Sequence, residues 1–165
     1  MSQQGINSLY YASLLHDAGV INVPYEILVK NSQLTQEEFK IIRDHPANSV
    51  ELIRPVQFLK PVLPIILYHH EKYDGTGYPS GLKKEQIPLG ARIMAVADAF
   101  EAMICGRPYR RKLTISEAIE ELKEHSGTQF DPKIVSVFCG LSSNKQFKKY
   151  LDLIASGFND TPRDV

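Results

Sequence analysis

The stretch that most constrains this chain runs from Val62 to Pro79. An apolar run (Val62, Leu63, Ile65, Ile66, Leu67) leads into two adjacent histidines, His69 and His70. A loop with glycines at 75 and 77 and the pair Tyr78-Pro79 follows at once. Pro61 and Pro64 suit the first turn of a helix, where a missing N–H costs little. The run is apolar nearly all round, so it reads as a buried helix that delivers both histidines into the interior. Buried imidazoles need partners. Neighbours on a helix point about 100° apart, so the two rings are not expected to bind one ion side by side. They are expected to serve two ions, or to act as one ligand and one supporting partner. A buried metal cluster is the hypothesis that the remaining sequence has to meet.

The chain is 165 residues long, enough for one domain with a real hydrophobic core. Its 19 basic and 19 acidic residues cancel, which argues against generic affinity for DNA or a membrane surface. Cys105 and Cys139 fit no CxxC metal spacing and no disulfide framework, and a reducing cytoplasm is the expected location. No apolar run reaches the length of a membrane span, and the N-terminus does not resemble a signal peptide.

Helical periodicity recurs along the whole chain, and convincing strand alternation is absent. Residues 1–8 read as a lead-in, and a helix carries Leu9, Tyr10, Tyr11, Leu14 and Leu15 to His16-Asp17, with Gly19 ending it. Pro24 sits in a connector or single short turn. Thr35 with Glu38, and Thr114 with Glu117, make capping boxes at two helix starts. His45 precedes Pro46, a position where helix geometry tends to break and can turn a ring inward. Ile93, Val96, Ala97, Phe100 and Ile104 form the stripe of a long helix that holds Asp98 in its middle. Arg107 to Lys112 is the densest positive cluster, Asp131-Pro132 starts another helix, and an amphipathic piece closes the chain at about residues 145–155. The fold class is all-α, a compact bundle of about six to eight helices.

Six residues group as nitrogen and oxygen ligands: His16, Asp17, His45, His69, His70 and Asp98. No thiolate joins them. Imidazole with carboxylate suits iron, manganese or zinc better than magnesium. Two ions about 3.5–4 Å apart, bridged by a carboxylate, would clamp the attacking and leaving oxygens of a phosphoester. Each residue taken singly has a plainer reading. Asp17 could cap a helix end, His45 could be a satisfied loop histidine, and Asp98 could pair with Arg92. The basic cluster could be a solvated turn, which is the preferred reading of Arg111 and Lys112.

His16-Asp17-Ala-Gly19, His45-Pro46, His69-His70-Glu71, Asp74-Gly75-x-Gly77-Tyr78-Pro79, Asp98 and Arg107-Pro108-Tyr109-Arg110 together resemble the HD-GYP family over roughly residues 9–138. That family belongs to the helical HD phosphohydrolase superfamily. Its active members hydrolyse the bacterial messenger cyclic di-GMP to pGpG or GMP at a centre of two or three metal ions, often iron or manganese. By matching position, the resemblance implies that His16, Asp17, His45, His69, His70 and Asp98 are metal ligands. Asp17 would bridge, and His16 and Asp17 would be catalytic. Tyr78, Gly77, Arg107 and Arg110 would contact the nucleotide. It further implies an HD-GYP-type domain over residues 1–140 without the family's usual first helix, with a C-terminal helix and tail at 141–165. A GGDEF-type signalling domain or a second copy of the chain would be candidate partners.

Two departures bear on activity. Val20 stands where the family usually has a phosphate-holding lysine, and no histidine occurs among the residues before His16. The competing expectation is therefore a catalytically impaired sensor that keeps the nucleotide loop and signals through a partner. Another HD-type phosphate-ester hydrolase is a third reading, disfavoured by the intact Gly-Tyr-Pro loop.

Overall fold

The computed structural model describes residues 1–30, 32–105, 112–142 and 144–155. Among these the regular structure is helical: α1 (Gln3–Leu15), α2 (Tyr25–Leu28), α3 (Gln36–Arg43), α4 (His45–Ile53), α5 (Leu63–Tyr68), α6 (Leu89–Cys105), α7 (Ile115–Glu124), α8 (Pro132–Ser142) and α9 (Lys145–Ala155). Short 3-10 turns at Ala18–Asn22, Gln57–Val62 and Lys84–Gln86 connect them. The all-α expectation holds, and α2 is the single short turn expected after Pro24.

Local chemistry explains most of the boundaries. Thr35 accepts from the Glu38 N–H while Glu38 accepts from the Thr35 N–H, and Thr114 and Glu117 repeat the exchange. Asp131 accepts from the Lys133 N–H at the start of α8. The first helix starts earlier than its apolar pattern suggests. Ser2 caps it by accepting from the Gly5 N–H at 3.2 Å, so residues 3–8 are helical rather than a lead-in.

Two apolar clusters form the core, and α6 belongs to both. Met94 joins Ala12, Val50, Ile53, Val62, Ile65 and Ile66, packing α1, α4 and α5 together. Val96, Phe100, Met103 and Ile104 face α7, α8 and α9 through Ala118, Leu122, Val135 and Leu151. Ile66 is fully buried, a contribution of about 2 kcal/mol from that side chain alone. Packed by different clusters on different sides, α6 leaves Ala97 and Glu101 open to solvent, so Ala97 is not part of its buried stripe. Asp98 lies beside Ala97 on this open strip. Tyr10, Tyr11 and Leu14 of α1 are also exposed, and Ala12 is that helix's buried residue.

Candidate metal centre

The six candidate ligands come from five places. His16 caps the C-terminus of α1, and Asp17 opens the 3-10 turn that follows. His45 is the first residue of α4, His69 caps α5, His70 is the next residue, and Asp98 sits within α6. Gly19 and Ser49 fix the His-Asp turn against α4. A Cβ at Gly19 would collide with the His45 carbonyl and the Ser49 amide, so only glycine allows this close approach. The Ser49 hydroxyl, fully buried, accepts from the Gly19 N–H at 2.7 Å and donates to the His16 carbonyl at 2.6 Å.

The imidazoles are held from behind. His16, His45 and His69 each place Nδ1 against the carbonyl three residues earlier, at 3.1 Å from Ser13, 2.8 Å from Ile42 and 2.6 Å from Ile66. A carbonyl oxygen can only accept, so each Nδ1 carries a proton, and each ring turns its Nε2 toward the centre. There Asp17 separates two of them: its Oδ2 lies 3.3 Å from His16 Nε2 and its Oδ1 lies 3.2 Å from His45 Nε2. The Nε2 of His70 lies 3.2 Å from that of His45. The Nε2 of His69 is buried with no hydrogen-bond partner. Lone pairs facing a carboxylate repel unless a proton or a metal ion lies between them. Candidate ligand atoms of His45, His69 and His70 all lie within 4.8 Å of one another, as do those of His16, Asp17 and His69. This donor set fits divalent metal.

The two adjacent histidines behave differently from the helical expectation. Because α5 ends at Tyr68, both rings belong to the turn beyond it, with centroids 4.0 Å apart and planes inclined by 41°. Both therefore face the same space and join one three-histidine group. Asp98 is not deeply buried either: its side chain is 32% exposed, with Oδ1 3.9 Å from His16 Nε2. Arg92, its expected alternative partner, pairs with the buried Asp131 instead.

The glycine-rich loop is clamped by Glu71, a motif residue to which the sequence assigned no role. Glu71 is buried, and its carboxylate accepts from the backbone N–H groups of Ser80 at 2.7 Å and Leu82 at 3.1 Å. Gly77 packs on the backbone of Glu71 and Lys72, where a Cβ has no room. Tyr73 and Asp74 donate from their backbones to Gln129 and Thr128, tying the loop to the α7–α8 turn. Tyr78 stacks on His70 at 4.9 Å and 24°, and the Arg43 guanidinium lies over the Tyr78 ring at 4.6 Å. Arg107 and Arg110 lie outside the described residues.

An HD domain family model matches residues 1–134, the span that supplies every ligand above. The chain belongs to the HD domain family. Its Gly77-Tyr78-Pro79 loop places it in the HD-GYP branch, as the motif resemblance implies. The chain is similar to the cyclic di-GMP phosphodiesterase response regulator RpfG of Xanthomonas campestris, at 41% identity over 82% of this chain and 36% of that protein. It is also similar to a cyclic di-GMP phosphodiesterase of Thermotoga maritima, at 39% identity over 86% of this chain and 39% of that protein. The crystal structure of a cyclic GMP-AMP-specific phosphodiesterase from Vibrio cholerae superposes with a TM-score of 0.71. That match has 25% identity and covers 98% of this chain and 45% of the other. The HD-GYP chain thus spans less than half the length of these relatives.

Electrostatics in the HD-GYP centre favour bound cations. Burial is the largest influence on His69 and His70 and pushes them down to about 4 and about 3, neighbouring imidazoles adding to the effect. Both rings are therefore neutral at physiological pH. For His16, burial opposes charging, but the hydrogen bond and charge of Asp17 together with Asp98 outweigh it and raise the ring. Hydrogen bonds from His16 and then His45 hold the Asp17 carboxyl far below the usual carboxylate range. Burial lifts the Tyr78 phenol to about 12, so it stays protonated. Among the described residues no helix is long and apolar enough to cross a membrane.

Proposed function

We propose that this HD-GYP domain is a metal-dependent phosphodiesterase that hydrolyses cyclic di-GMP, to pGpG or on to GMP. The observation that carries the reading is the convergence of imidazole Nε2 atoms and Asp17 oxygens, with three Nδ1 protons already committed to backbone carbonyls. His45, His69, His70 and Asp17 would hold one ion, and His16, Asp17 and Asp98 another. Asp17 would serve both ions, since its two oxygens face His16 and His45 separately. Imidazole with carboxylate suits iron or manganese, and two or three ions are expected. When bound, such ions supply Lewis acidity at the phosphate and lower the pKa of water.

This chain's own residues do the rest. The buried histidines close the floor of the centre and keep bulk water from its back. His16 and Asp17, nearest the rim, are the catalytic pair in this reading, as the ligands that would hold an ion beside the reacting phosphate. The Tyr78 phenol, the Gly77 backbone and the Arg107 and Arg110 guanidinium groups bind the nucleotide and its phosphates. We take residues 1–140 as the HD-GYP unit followed by a C-terminal helix and tail at 141–165. Its setting would be the cytoplasm, where a GGDEF-type domain or a second copy would be its signalling partner. The names of the relatives support a cyclic dinucleotide as substrate. The donor set favours hydrolysis over the sensor reading, whose two supports in the sequence are Val20 and the lack of a histidine before His16.

The test loads the full chain anaerobically with Fe²⁺ or Mn²⁺, measures bound metal, and incubates it with cyclic di-GMP and with cyclic GMP-AMP. Bound metal of at least one equivalent with pGpG or GMP from cyclic di-GMP is expected. Less metal and no product, in a chain that still binds nucleotide, would leave the sensor reading in its place.

A further inference from the structure

We infer that Arg43 is a substrate-binding residue of this centre, holding the phosphate of the cyclic dinucleotide that is not cleaved. This inference rests on the proposed phosphodiesterase reading. Arg43 is the last residue of α3, two positions before His45, and its side chain is exposed. Its guanidinium lies over two aromatic rings, 5.1 Å from the Phe39 centroid and 4.6 Å from that of Tyr78. Tyr78 in turn stacks on His70, so the cation stands one ring away from a metal ligand.

What matters is which part of the guanidinium this arrangement uses. Aromatic rings engage the flat face of the group, and the N–H donors project from its edge. Arg43 makes no ion pair and no hydrogen bond among the described residues, whereas Arg54 and Arg92 both bind carboxylates. Lying over two rings, with no carboxylate on its fork among the described residues and beside a candidate metal centre, it is prepared for an oxyanion. A cyclic dinucleotide carries two phosphates. The one being cleaved would sit over the histidine floor, and the other needs a cation of its own. Val20, beside the His-Asp turn, offers no donor. The same contact bears on Tyr78: with His70 and Arg43 both packed on its ring, a nucleobase would have to displace the guanidinium to stack there.

The test measures equilibrium binding of a hydrolysis-resistant phosphorothioate analogue of cyclic di-GMP to the manganese-loaded full chain, at two salt concentrations. Arg43→Ala is expected to weaken binding about tenfold or more and to flatten its salt dependence. Arg43→Lys is expected to restore the salt dependence with only part of the affinity, because a point charge replaces a fork. Metal content and helicity, measured on the same samples, should match the wild type. Unchanged affinity in Arg43→Ala overturns the inference, as does a loss accompanied by loss of metal or helicity. Turnover of cyclic di-GMP by the wild type is followed separately. If it fails while Arg43→Ala still weakens binding, the hydrolase reading falls and the Arg43 site stands.

Discussion

The floor and the rim of the metal centre are built on opposite principles. On the floor, His45 and His69 are 4% and 2% exposed, and backbone carbonyls fix their orientation from behind. At the rim, Asp17 and Asp98 have side chains 59% and 32% exposed, and Asp17 meets its partners only in front. The floor is shaped by folding and leaves a buried nitrogen on His69 unsatisfied. The rim adds little to folding and can change partners with water or substrate. Pre-orientation and exchangeability are thus divided between different residues, as the proposed centre would require in order to retain ions and turn over a substrate.

The contrast can be broken at either side. Asp17→Ala should have the largest effect, lowering kcat for the cyclic dinucleotide by about a thousandfold or more because a bridging ligand is lost. Its circular dichroism and metal-free melting should stay close to wild type. His69→Leu should also abolish turnover, yet the metal-free protein should melt no lower than wild type, since an orphaned polar atom is replaced by an apolar group. Manganese should raise the melting temperature of the wild type and move that of His69→Leu much less.

Acid sharpens the same contrast. His69 and His70 titrate below the ordinary 6.5, so the unfolded chain binds more protons than the folded chain between about pH 4 and 6.5. Metal-free stability should therefore fall as pH drops through that window, by about 3–4 kcal/mol between pH 7 and 5 from the two rings together. His16, raised by Asp17, works in the opposite direction and offsets part of the loss. Urea midpoints in EDTA would read the difference, and His69→Leu should flatten it. The smallest effect is expected for Ser49→Ala, which removes two buried hydrogen bonds between the His-Asp turn and α4. It should cost about 1–3 kcal/mol in urea unfolding and lower metal affinity only modestly.

Much of this was legible in the residues. Capping boxes at Thr35 and Thr114 and the Asp131-Pro132 start are local chemistry, and they appear where the sequence puts them. His45 before Pro46 does turn inward. What the sequence could not give were features decided by tertiary contact. An angle of about 100° between neighbouring helical residues holds only while the helix lasts, and α5 ends before His69. Asp98 reads as buried from its apolar neighbours, but α6 shares its faces between two clusters and leaves that strip open. Ser49 stands one helical turn after His45, a small polar residue on a buried face, and that was its only signal. Arg43 gave none, because stacking on Tyr78 depends on where the loop folds.

The Ser49 latch has a mechanical consequence. One hydroxyl fastens the carbonyl of His16 and the amide of Gly19 to the helix that begins with His45. Three candidate ligands on two segments of chain therefore travel as a single cassette, and a displacement of α4 must carry the His-Asp corner along with it.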